Sequence, residues 1–309
     1  MRIDRRTVIG GIAATVAAAP LSRAAASDRP ASFLAFGDWG RDGAQHQRDV
    51  AMQMGKVASR LGARFVASVG DNFYENGVQS ATDPQWKTSF EGIYTDPSLQ
   101  IPWYGVLGNH DYRGVPQAQI DYAAHSRRWK MPSRYYHVPG AEVGMPRVDL
   151  FVIDSSPLVH QYRDKVEAPI AVNARSQDVD KQLAWLDQQL GQSKAACKLV
   201  FGHHTIRSGG SGHGDTPELV DLVRPLLERH KVQAYINGHD HDLQHIRRGG
   251  VDYVCCGAGS EVRPVVAVEG TKFCLSRSGF AALTLDGDAL SLAFHDYTGA
   301  QVYRGRIGA

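Results

Sequence analysis

Residues Gly70-Asp71-Asn72-Phe73-Tyr74 close the apolar segment Arg64-Phe-Val-Ala-Ser-Val-Gly70. This segment has the length and the β-branched and aromatic content of a buried strand, and it ends on a glycine. It is followed by a carboxylate, which can bridge two cations, and three residues later by a phenol, which as a phenolate suits a hard metal. An aspartate at the end of a strand is also a common turn cap, so the segment alone leaves both interpretations open.

Four more predicted strands end on residue types that bind metals. The strands at 32–37, 101–107, 198–201 and 233–236 are followed by Asp38, by Asn109 with His110, by His203, and by His239 with His241. Singly, such residues more often cap turns or pack in the core. His239 and His241 carry more weight, because a spacing of two residues on an extended segment points both rings to one side. Since sites in α/β sheets gather at the carboxyl ends of strands, we expect the five groups to converge.

Strands and helices alternate along most of the chain. Further strands are predicted at 148–153 and 251–256, and helices at 45–61, 178–190 and 216–230, the last kinked at Pro225. The polar stretch 155–175 has no clear period and is predicted to be a long loop. From Phe280 onward the pattern is that of hairpins, with turns at 286–287 and 298–299. This order predicts an α/β protein with layered sheets and outer helices, in one domain without internal repeats.

The first 26 residues have the layout of a twin-arginine export signal. Arg5-Arg6 precede an apolar stretch that runs to Ala19, and the small residues up to Ala26 offer a cleavage site. A membrane anchor is the less favoured interpretation, because the apolar stretch is shorter than the ~20 residues that span a bilayer. We expect a protein exported by the twin-arginine pathway, periplasmic or secreted, with residues 27–309 as its mature domain. No stable membrane association is expected after cleavage.

The charge balance argues against a nucleic-acid partner. The full chain has 34 lysines and arginines and 32 aspartates and glutamates. Cleavage after Ala26 would remove four arginines and one aspartate, which leaves 30 basic and 31 acidic residues. Because no basic patch offsets this balance, nothing in the composition favours binding to a polyanion.

The four cysteines, Cys197, Cys255, Cys256 and Cys274, lack the spacing of a zinc site. Cys255 and Cys256 would face opposite sides of a strand, and we interpret the cysteines as small core residues. A disulfide between Cys274 and another cysteine stays open as an alternative, since an exported protein meets an oxidising compartment.

Taken together, the five strand ends resemble the motifs of the calcineurin-like metallophosphoesterases. In chain order these are Gly37-Asp38-x-Gly40, Gly70-Asp71-x-x-Tyr74, Gly108-Asn109-His110-Asp111, Gly202-His203 and Gly238-His239-x-His241. The tyrosine is typical of the purple acid phosphatases. Longer stretches, at 36–40, 77–79, 102–104 and 238–244, are similar to the small tartrate-resistant (type 5) acid phosphatases. The resemblance extends from about Ser32 to the C-terminal hairpins. It implies a single metallophosphoesterase domain folded as a four-layer αββα sandwich, with two mixed β-sheets flanked by helices.

The resemblance implies two metal sites that share Asp71. The site for Fe(III) would take Asp38, Asp71, Tyr74 and His241, and the site for a divalent ion (Fe, Zn or Mn) would take Asp71, Asn109, His203 and His239. This allocation agrees with ligand chemistry, because the harder ion receives two carboxylates and a phenolate. Hydroxide generated on the metals would attack the phosphorus, with an optimum below neutral pH.

Further residues receive roles from the same resemblance. His110 would donate to a phosphate oxygen or protonate the leaving alkoxide, and Asp111 would orient His110. His213, in the glycine-rich loop 208–214, resembles a second histidine near the substrate. His204 stands where the family commonly has another residue. It could be a third histidine for phosphate or a solvated side chain, and we favour the solvated side chain.

The sequence thus predicts a monomeric acid phosphatase that hydrolyses small phosphate monoesters. A phosphodiesterase with the same metal pair is an alternative that the motifs do not separate. A metal-binding or iron-storage protein without catalysis is a second alternative, although storage has no use for a proton donor at His110. Redox chemistry at the iron would be a secondary role.

Overall fold

The structure is a computed structural model that describes residues 30–164 and 168–308. The export signal predicted at residues 1–26 lies outside these residues. Within the described ranges, no helix combines the length and the apolar character needed to cross a membrane. The strands are β1 Ala31–Phe36, β2 Val66–Ser68, β3 Trp103–Gly105, β4 Trp129–Lys130, β5 Tyr136–Val138, β6 Val148–Val152, β7 Cys197–Phe201, β8 Ala234–Asn237, β9 Leu243–Arg248, β10 Val251–Cys256, β11 Thr271–Leu275, β12 Gly279–Asp286, β13 Ala289–Asp296 and β14 Gln301–Ile307. The α-helices are α1 Gln47–Leu61, α2 Pro116–Asp121, α3 His160–Asp164, α4 Pro169–Arg175, α5 Val179–Gln192, α6 Pro217–Leu222 and α7 Arg224–Arg229.

The strands form two mixed sheets of seven strands each, which confirms the predicted sandwich. The first sheet has the order β14-β13-β12-β1-β2-β3-β4, and the second has the order β11-β9-β10-β8-β7-β6-β5. The rings of Phe33 in β1 and Phe201 in β7 meet edge-on between the sheets, with centroids 6.3 Å apart. Helix α1 packs on the outer side of the first sheet, against β1, β12 and β13. On the second sheet, Gln182 of α5 hydrogen bonds to the backbone of Asp154, just beyond β6.

Parallel pairing places the predicted ligands at one end of both sheets. In the first sheet β1, β2 and β3 run parallel, and in the second sheet β6, β7, β8 and β10 run parallel. The carboxyl ends of neighbouring parallel strands meet at the same edge of a sheet. The loops that carry the five predicted groups therefore lie next to one another, at the same end of the two sheets.

An aromatic cluster supports the loop after β1. Trp39 is fully buried, and its ring lies 6.0 Å from that of Phe36, 5.4 Å from that of Phe73 and 6.4 Å from that of Trp103. Its indole N–H donates to Ser68 Oγ at 2.7 Å. Offset and edge-on ring contacts of this kind add to the stabilisation gained from burial. The cluster fixes the backbone next to Asp38 against β2 and β3.

In its described residues, 155–164 and 168–175, the segment predicted to be a long loop is largely helical. It contains a 3-10 turn at Ser156–Leu158 followed by α3 and α4. Both the turn and α4 begin with a proline near the first helical position, which favours helix initiation. The described helices here have at most seven residues, too few for a clear hydrophobic period. The kink predicted at Pro225 is confirmed as a break between α6 and α7.

The cysteines are free thiols, and three of them are buried. Their interpretation as core residues is confirmed for Cys197, Cys255 and Cys256, whereas Cys274 is half-buried. Cys255 and Cys274 both lie opposite Gln244, on the two strands that flank β9. Two strand spacings amount to about 9.6 Å, beyond the ~7 Å limit between Cα atoms in a disulfide.

Candidate metal centre

Three of the predicted ligands have an unusual backbone conformation. The φ angles are 61° at Asp38, 49° at Asp71 and 73° at His239, and each residue follows a glycine. Residues other than glycine rarely adopt this left-handed region, and strain of this kind is concentrated at functional sites. The chain bends at each of these strand ends, and all three side chains are buried where the parallel strands end.

Two glycines permit neighbouring loops to approach the carboxylates. A Cβ atom added at Gly108 would lie 2.2 Å from Asp71 Oδ1, and one added at Gly238 would lie 2.3 Å from Asp38 Oδ2. Any side chain at either position would therefore displace a predicted ligand. This close approach explains why glycine precedes both Asn109 and His239.

The first group of ligand atoms surrounds the phenol oxygen of Tyr74. That oxygen lies 3.1 Å from Asp38 Oδ1, 3.3 Å from Asp71 Oδ2 and 3.1 Å from His241 Nε2. All four side chains are buried. Oxygen and nitrogen ligands bind one metal at ~2.0–2.2 Å and consequently stand about 3 Å apart. The phenol oxygen of Tyr74 has this spacing to each of the other three side chains that the resemblance assigns to Fe(III).

The second group surrounds Nε2 of His203. This nitrogen lies 3.4 Å from Asp71 Oδ2, 3.1 Å from Asn109 Oδ1 and 3.2 Å from His239 Nδ1. Asp38, Asp71 and His203 also offer ligand atoms that all lie within 4.8 Å of one another. Asp71 Oδ2 belongs to both groups, so the structure brings all seven predicted metal ligands together. Their spacing and their buried N and O donors fit a pair of cations.

Burial and charge have opposite effects on the pKa of Asp71 and of His203, whereas burial and the nearby carboxylates act in the same direction on the pKa of Tyr74. Burial alone would raise the pKa of Asp71, yet the imidazoles of His203 and His110 hold it below its ordinary value. Burial also disfavours a charged His203, but the carboxylate of Asp71 raises the pKa of His203 to about 9. The pKa of Tyr74 is raised well above its ordinary value, by burial first and then by the charges of Asp38 and Asp71. Tyr74 can therefore ionise here only beside a strong positive charge such as a trivalent metal.

His110 and His213 lie next to these ligand groups, as the sequence predicts. Nδ1 of His110 is 2.7 Å from the carbonyl oxygen of Glu75, and a carbonyl only accepts. Nδ1 also lies 3.2 Å from Nη1 of Arg113, which only donates, but the shorter contact to the carbonyl favours hydrogen on Nδ1. Nε2 lies 4.0 Å from Asp71 Oδ2. The ring of His213 stacks on the ring of His239 with centroids 3.8 Å apart. The roles of both histidines in turnover stay predictions.

Among the described residues, no hydrogen bond joins the side chains of Asp111 and His110, so the prediction that Asp111 orients His110 is wrong. The buried carboxylate of Asp111 accepts the backbone N–H of Gly108 at 2.8 Å and of Asn72 at 3.1 Å. It also accepts the side-chain amide of Gln119 at 2.7 Å. Because Asp111 starts a short 3-10 turn, its carboxylate folds back onto nearby N–H groups, as aspartates at turns commonly do. It ties the loop after β2 to the loop after β3.

The interpretation of His204 as a solvated side chain is also wrong. His204 is 1% exposed. Its Nδ1 lies 2.8 Å from Ser155 Oγ, and its Nε2 lies 3.2 Å from the hydroxyl of Tyr162. Although His203, His204 and His239 offer atoms within 4.8 Å of one another, both nitrogens of His204 are engaged elsewhere. His204 connects the ligand groups to α3, and predicting 155–175 as a loop concealed this contact.

Sequence reasoning does not single out three charged residues beside the centre. The guanidinium of Arg41 lies over the ring of Tyr74. The buried carboxylate of Asp240 accepts the backbone N–H of His213 at 3.0 Å, and Nη1 of Arg263 lies 3.0 Å from His213 Nε2. Only Asp240 carries a usable sequence signal, because it stands between two predicted ligands. The two arginines come close through long-range folding that no local pattern reports.

Solved structures with a similar fold include the following two. The structure titled "GAP50 the anchor in the inner membrane complex of Plasmodium" aligns with a TM-score of 0.77 at 24% identity, covering 90% of this chain and 89% of that one. Purple acid phosphatase PPD1 from yellow lupin (Lupinus luteus) seeds aligns with a TM-score of 0.65 at 15% identity, covering 90% of this chain and 53% of that one. At such identities these likenesses show the fold alone.

Sequence comparisons identify the family. A model described as calcineurin-like phosphoesterase matches residues 31–243. Purple acid phosphatase 7 of Arabidopsis thaliana is 40% identical, over 91% of this chain and 87% of that protein. Tartrate-resistant acid phosphatase type 5 of Oryctolagus cuniculus is 35% identical, over 89% of this chain and 90% of that protein. With the ligand groups described above, these matches show that the chain belongs to the calcineurin-like phosphoesterases and, within them, to the purple acid phosphatases.

Proposed function

We propose that the centre holds Fe(III) and a divalent ion, Fe, Zn or Mn, and that the protein hydrolyses phosphate monoesters in acid. Membership of the family makes it a metal-dependent acid phosphatase. The observation that carries the two-metal proposal is the position of Asp71 Oδ2, which lies 3.3 Å from the phenol oxygen of Tyr74 and 3.4 Å from Nε2 of His203. An oxygen common to two ligand sets supports a pair of cations rather than a single ion.

The donor types support the assignment of the two ions. Fe(III) would be held by Asp38, Asp71, Tyr74 and His241, and the divalent ion by Asp71, Asn109, His203 and His239. Two carboxylates and a phenol oxygen suit a hard trivalent ion, whereas two imidazoles and an amide suit a softer divalent one. When bound, the two cations would lower the pKa of water and offset the negative charge of the phosphate.

The chain itself contributes histidines directed at the ester. The backbone carbonyl of Glu75 lies 2.7 Å from Nδ1 of His110 and favours hydrogen there, so Nε2 is the nitrogen available to a phosphate oxygen or to the leaving alkoxide. A group that transfers a proton must come within hydrogen-bonding distance of its acceptor. Nε2 lies 4.0 Å from Asp71 Oδ2, which supports a position of His110 beside an ester bound at the ligand groups. The backbone N–H of His213 donates to Asp240, and the imidazole of His213 stacks on that of His239 as a second ring beside the ligand groups.

A cavity next to the centre supports a small substrate. It has a volume of about 300 Å³, and its lining includes His204, His213, His239, Tyr162 and Pro217. This volume lies at the lower end of the ~300–1,000 Å³ range of ligand pockets. The cavity can receive the alcohol of a small monoester while the phosphate lies at the ligand groups.

Turnover of an aryl phosphate monoester and of a bis-aryl diester, followed from pH 4 to pH 8, tests the proposed activity. We expect the monoester to be hydrolysed much faster, with an optimum below pH 7. Faster turnover of the diester would make the protein a phosphodiesterase. Bound iron without turnover of either ester would make it a metal-binding protein without this activity.

We also propose export by the twin-arginine pathway, and we expect a monomer. Support for export comes from the sequence of residues 1–26, with Arg5 and Arg6 before the apolar stretch. Replacement of both arginines by lysine should leave the protein in the cytoplasm of an expressing bacterium. The unaltered chain should be recovered from the periplasm or the medium. Unchanged export of the double variant would contradict the pathway. The oligomeric state can be measured by light scattering.

A further inference from the structure

Arg41 is held against Tyr74 by contacts to all three nitrogens of its guanidinium. Its Cζ lies 3.7 Å from the centroid of the Tyr74 ring. Nη1 is 2.8 Å from Glu75 Oε1, Nη2 is 2.8 Å from Glu261 Oε2, and Nε donates to Ser260 Oγ at 3.3 Å. The Arg41 side chain is 13% exposed. A cation at this distance from an aromatic face is attracted to it, and more strongly when water is excluded.

These contacts separate Arg41 from the usual role of an arginine beside a phosphate. A guanidinium that binds phosphate offers its N–H groups to the anion as a fork. In Arg41, each of the three nitrogens already has a partner within the protein. Ser260 Oγ in turn donates to the backbone oxygen of Asp38 at 2.5 Å. The guanidinium is therefore fixed over the ring of a proposed metal ligand and not directed at the substrate.

We infer that Arg41 raises the energy of the electronic transition from Tyr74 to the ferric ion and thereby shifts the colour of the protein. The inference rests on the ferric site of the proposed function. In a ligand-to-metal charge transfer, one electron moves from the phenolate ring to Fe(III), and no bond is made or broken. A metal held by the phenol oxygen would lie beyond the edge of the ring, whereas Arg41 lies 3.7 Å from the ring centroid, so Arg41 would be closer to the electron donor than to the acceptor.

This placement fixes the sign of the effect. A positive charge near the donor stabilises the electron on the ring more than on the metal, because Coulomb energy falls with distance. Arg41 therefore raises the transition energy and moves the band to shorter wavelength. Glu75 and Glu261 oppose this field, but their side chains are 61% and 40% exposed. Solvent and salt screen exposed charges more than the largely buried guanidinium, so the guanidinium dominates.

Absorption spectra of the iron-loaded wild type, Arg41→Gln and Glu261→Gln test the inference. We expect Arg41→Gln to shift the visible maximum to longer wavelength, on the order of 10 nm for an effective dielectric constant of about 20. Glu261→Gln removes an opposing charge and should produce a smaller shift to shorter wavelength. Arg263→Gln is the matched control, because Arg263 contacts His213 and not Tyr74. The absorption maximum of this variant should equal that of the wild type.

The comparison distinguishes this inference from the proposed ferric site. A wild-type protein that binds iron without a visible band would contradict the ferric-phenolate site itself. If the wild type has its visible band and Arg41→Gln has the same absorption maximum at equal iron content, the inferred role of Arg41 is overturned and the ferric site is not. If Arg41→Gln does not fold or load iron, Glu261→Gln decides the matter: a shift to shorter wavelength supports the inference, and an unchanged or longer wavelength overturns it.

Discussion

Oδ2 of Asp71 lies 3.4 Å from Nε2 of His203, and both side chains are buried. The other carboxylate oxygen of Asp71, Oδ1, accepts the backbone N–H of His110 at 2.7 Å. The chain thus holds Oδ1 in place, while Oδ2 faces both ligand groups. Two cations at this centre would share Asp71 through one oxygen.

We expect Asp71→Asn to lose both metals, because it replaces the shared, negatively charged ligand by a neutral amide. His239→Ala is the matched comparison. It removes a ligand of the divalent site only, so iron and its colour should remain while the divalent ion is lost. Metal content per chain, measured by atomic emission, distinguishes these patterns. Full retention of both metals by Asp71→Asn would rule out the shared oxygen.

Tyr74→Phe should abolish the visible band. The variant removes the phenol oxygen that lies among Asp38, Asp71 and His241, and it retains the ring under Arg41. Those three remaining ligands should keep part of the iron, so absorption and iron content must be measured on the same sample. A band that persists in Tyr74→Phe would mean that another residue supplies the colour.

His110→Ala should lower kcat by roughly 10²–10⁴-fold, the usual contribution of a proton-transferring side chain. Metal content should change little, because the ring contributes no atom to either ligand group. The control is His160→Ala, since the side chain of His160 is 73% exposed on α3 and should not affect kcat. Loss of both metals with His110→Ala would instead make His110 a ligand.

The stability of the protein should depend on pH through Asp154, which lies apart from the ligand groups. Burial raises the pKa of Asp154 from 3.8 to about 7, although Arg134 and the hydroxyl of Tyr112 oppose the shift. Between these values the unfolded chain releases a proton that the folded chain keeps, so the contribution of Asp154 is full below pH 4 and is lost as pH rises to 7. At 1.36 kcal/mol per pKa unit, the loss is at most about 4 kcal/mol.

Asp154→Asn tests this dependence, because asparagine has the shape of aspartate without a titrating proton. Relative to the wild type, the variant should gain stability as pH rises from 4 to 7, and thermal unfolding of both proteins across this range measures the difference. Parallel curves for the two proteins would show that Asp154 titrates normally in the folded state.

The metal centre could be predicted because its ligands follow strands directly. Asp38, Asp71, Asn109, His203 and His239 each stand within four residues of a strand end, so a correct set of strands also places them correctly. The fold class follows from the same alternation of strands and helices. Parallel pairing, which no local pattern reports, then completes the arrangement.

The predictions that failed concern contacts made across the fold. Asp111 bonds to Gly108 and Asn72 rather than to its neighbour His110, and His204 is covered by Tyr162 from a helix too short to show a period. Arg41 reaches Tyr74 because two loops after different strands meet. In each case the deciding partner is distant in sequence or belongs to a single helical turn, and neither leaves a periodic signal.

Anomalous X-ray diffraction from crystals of the metal-loaded protein, recorded above and below the iron edge, tests the two-metal centre most directly. We expect two metal peaks that are both bonded to Asp71 Oδ2, with iron on the side of Tyr74 and the second ion on the side of His203. A single peak, or an iron peak without contact to Tyr74, would contradict this expectation.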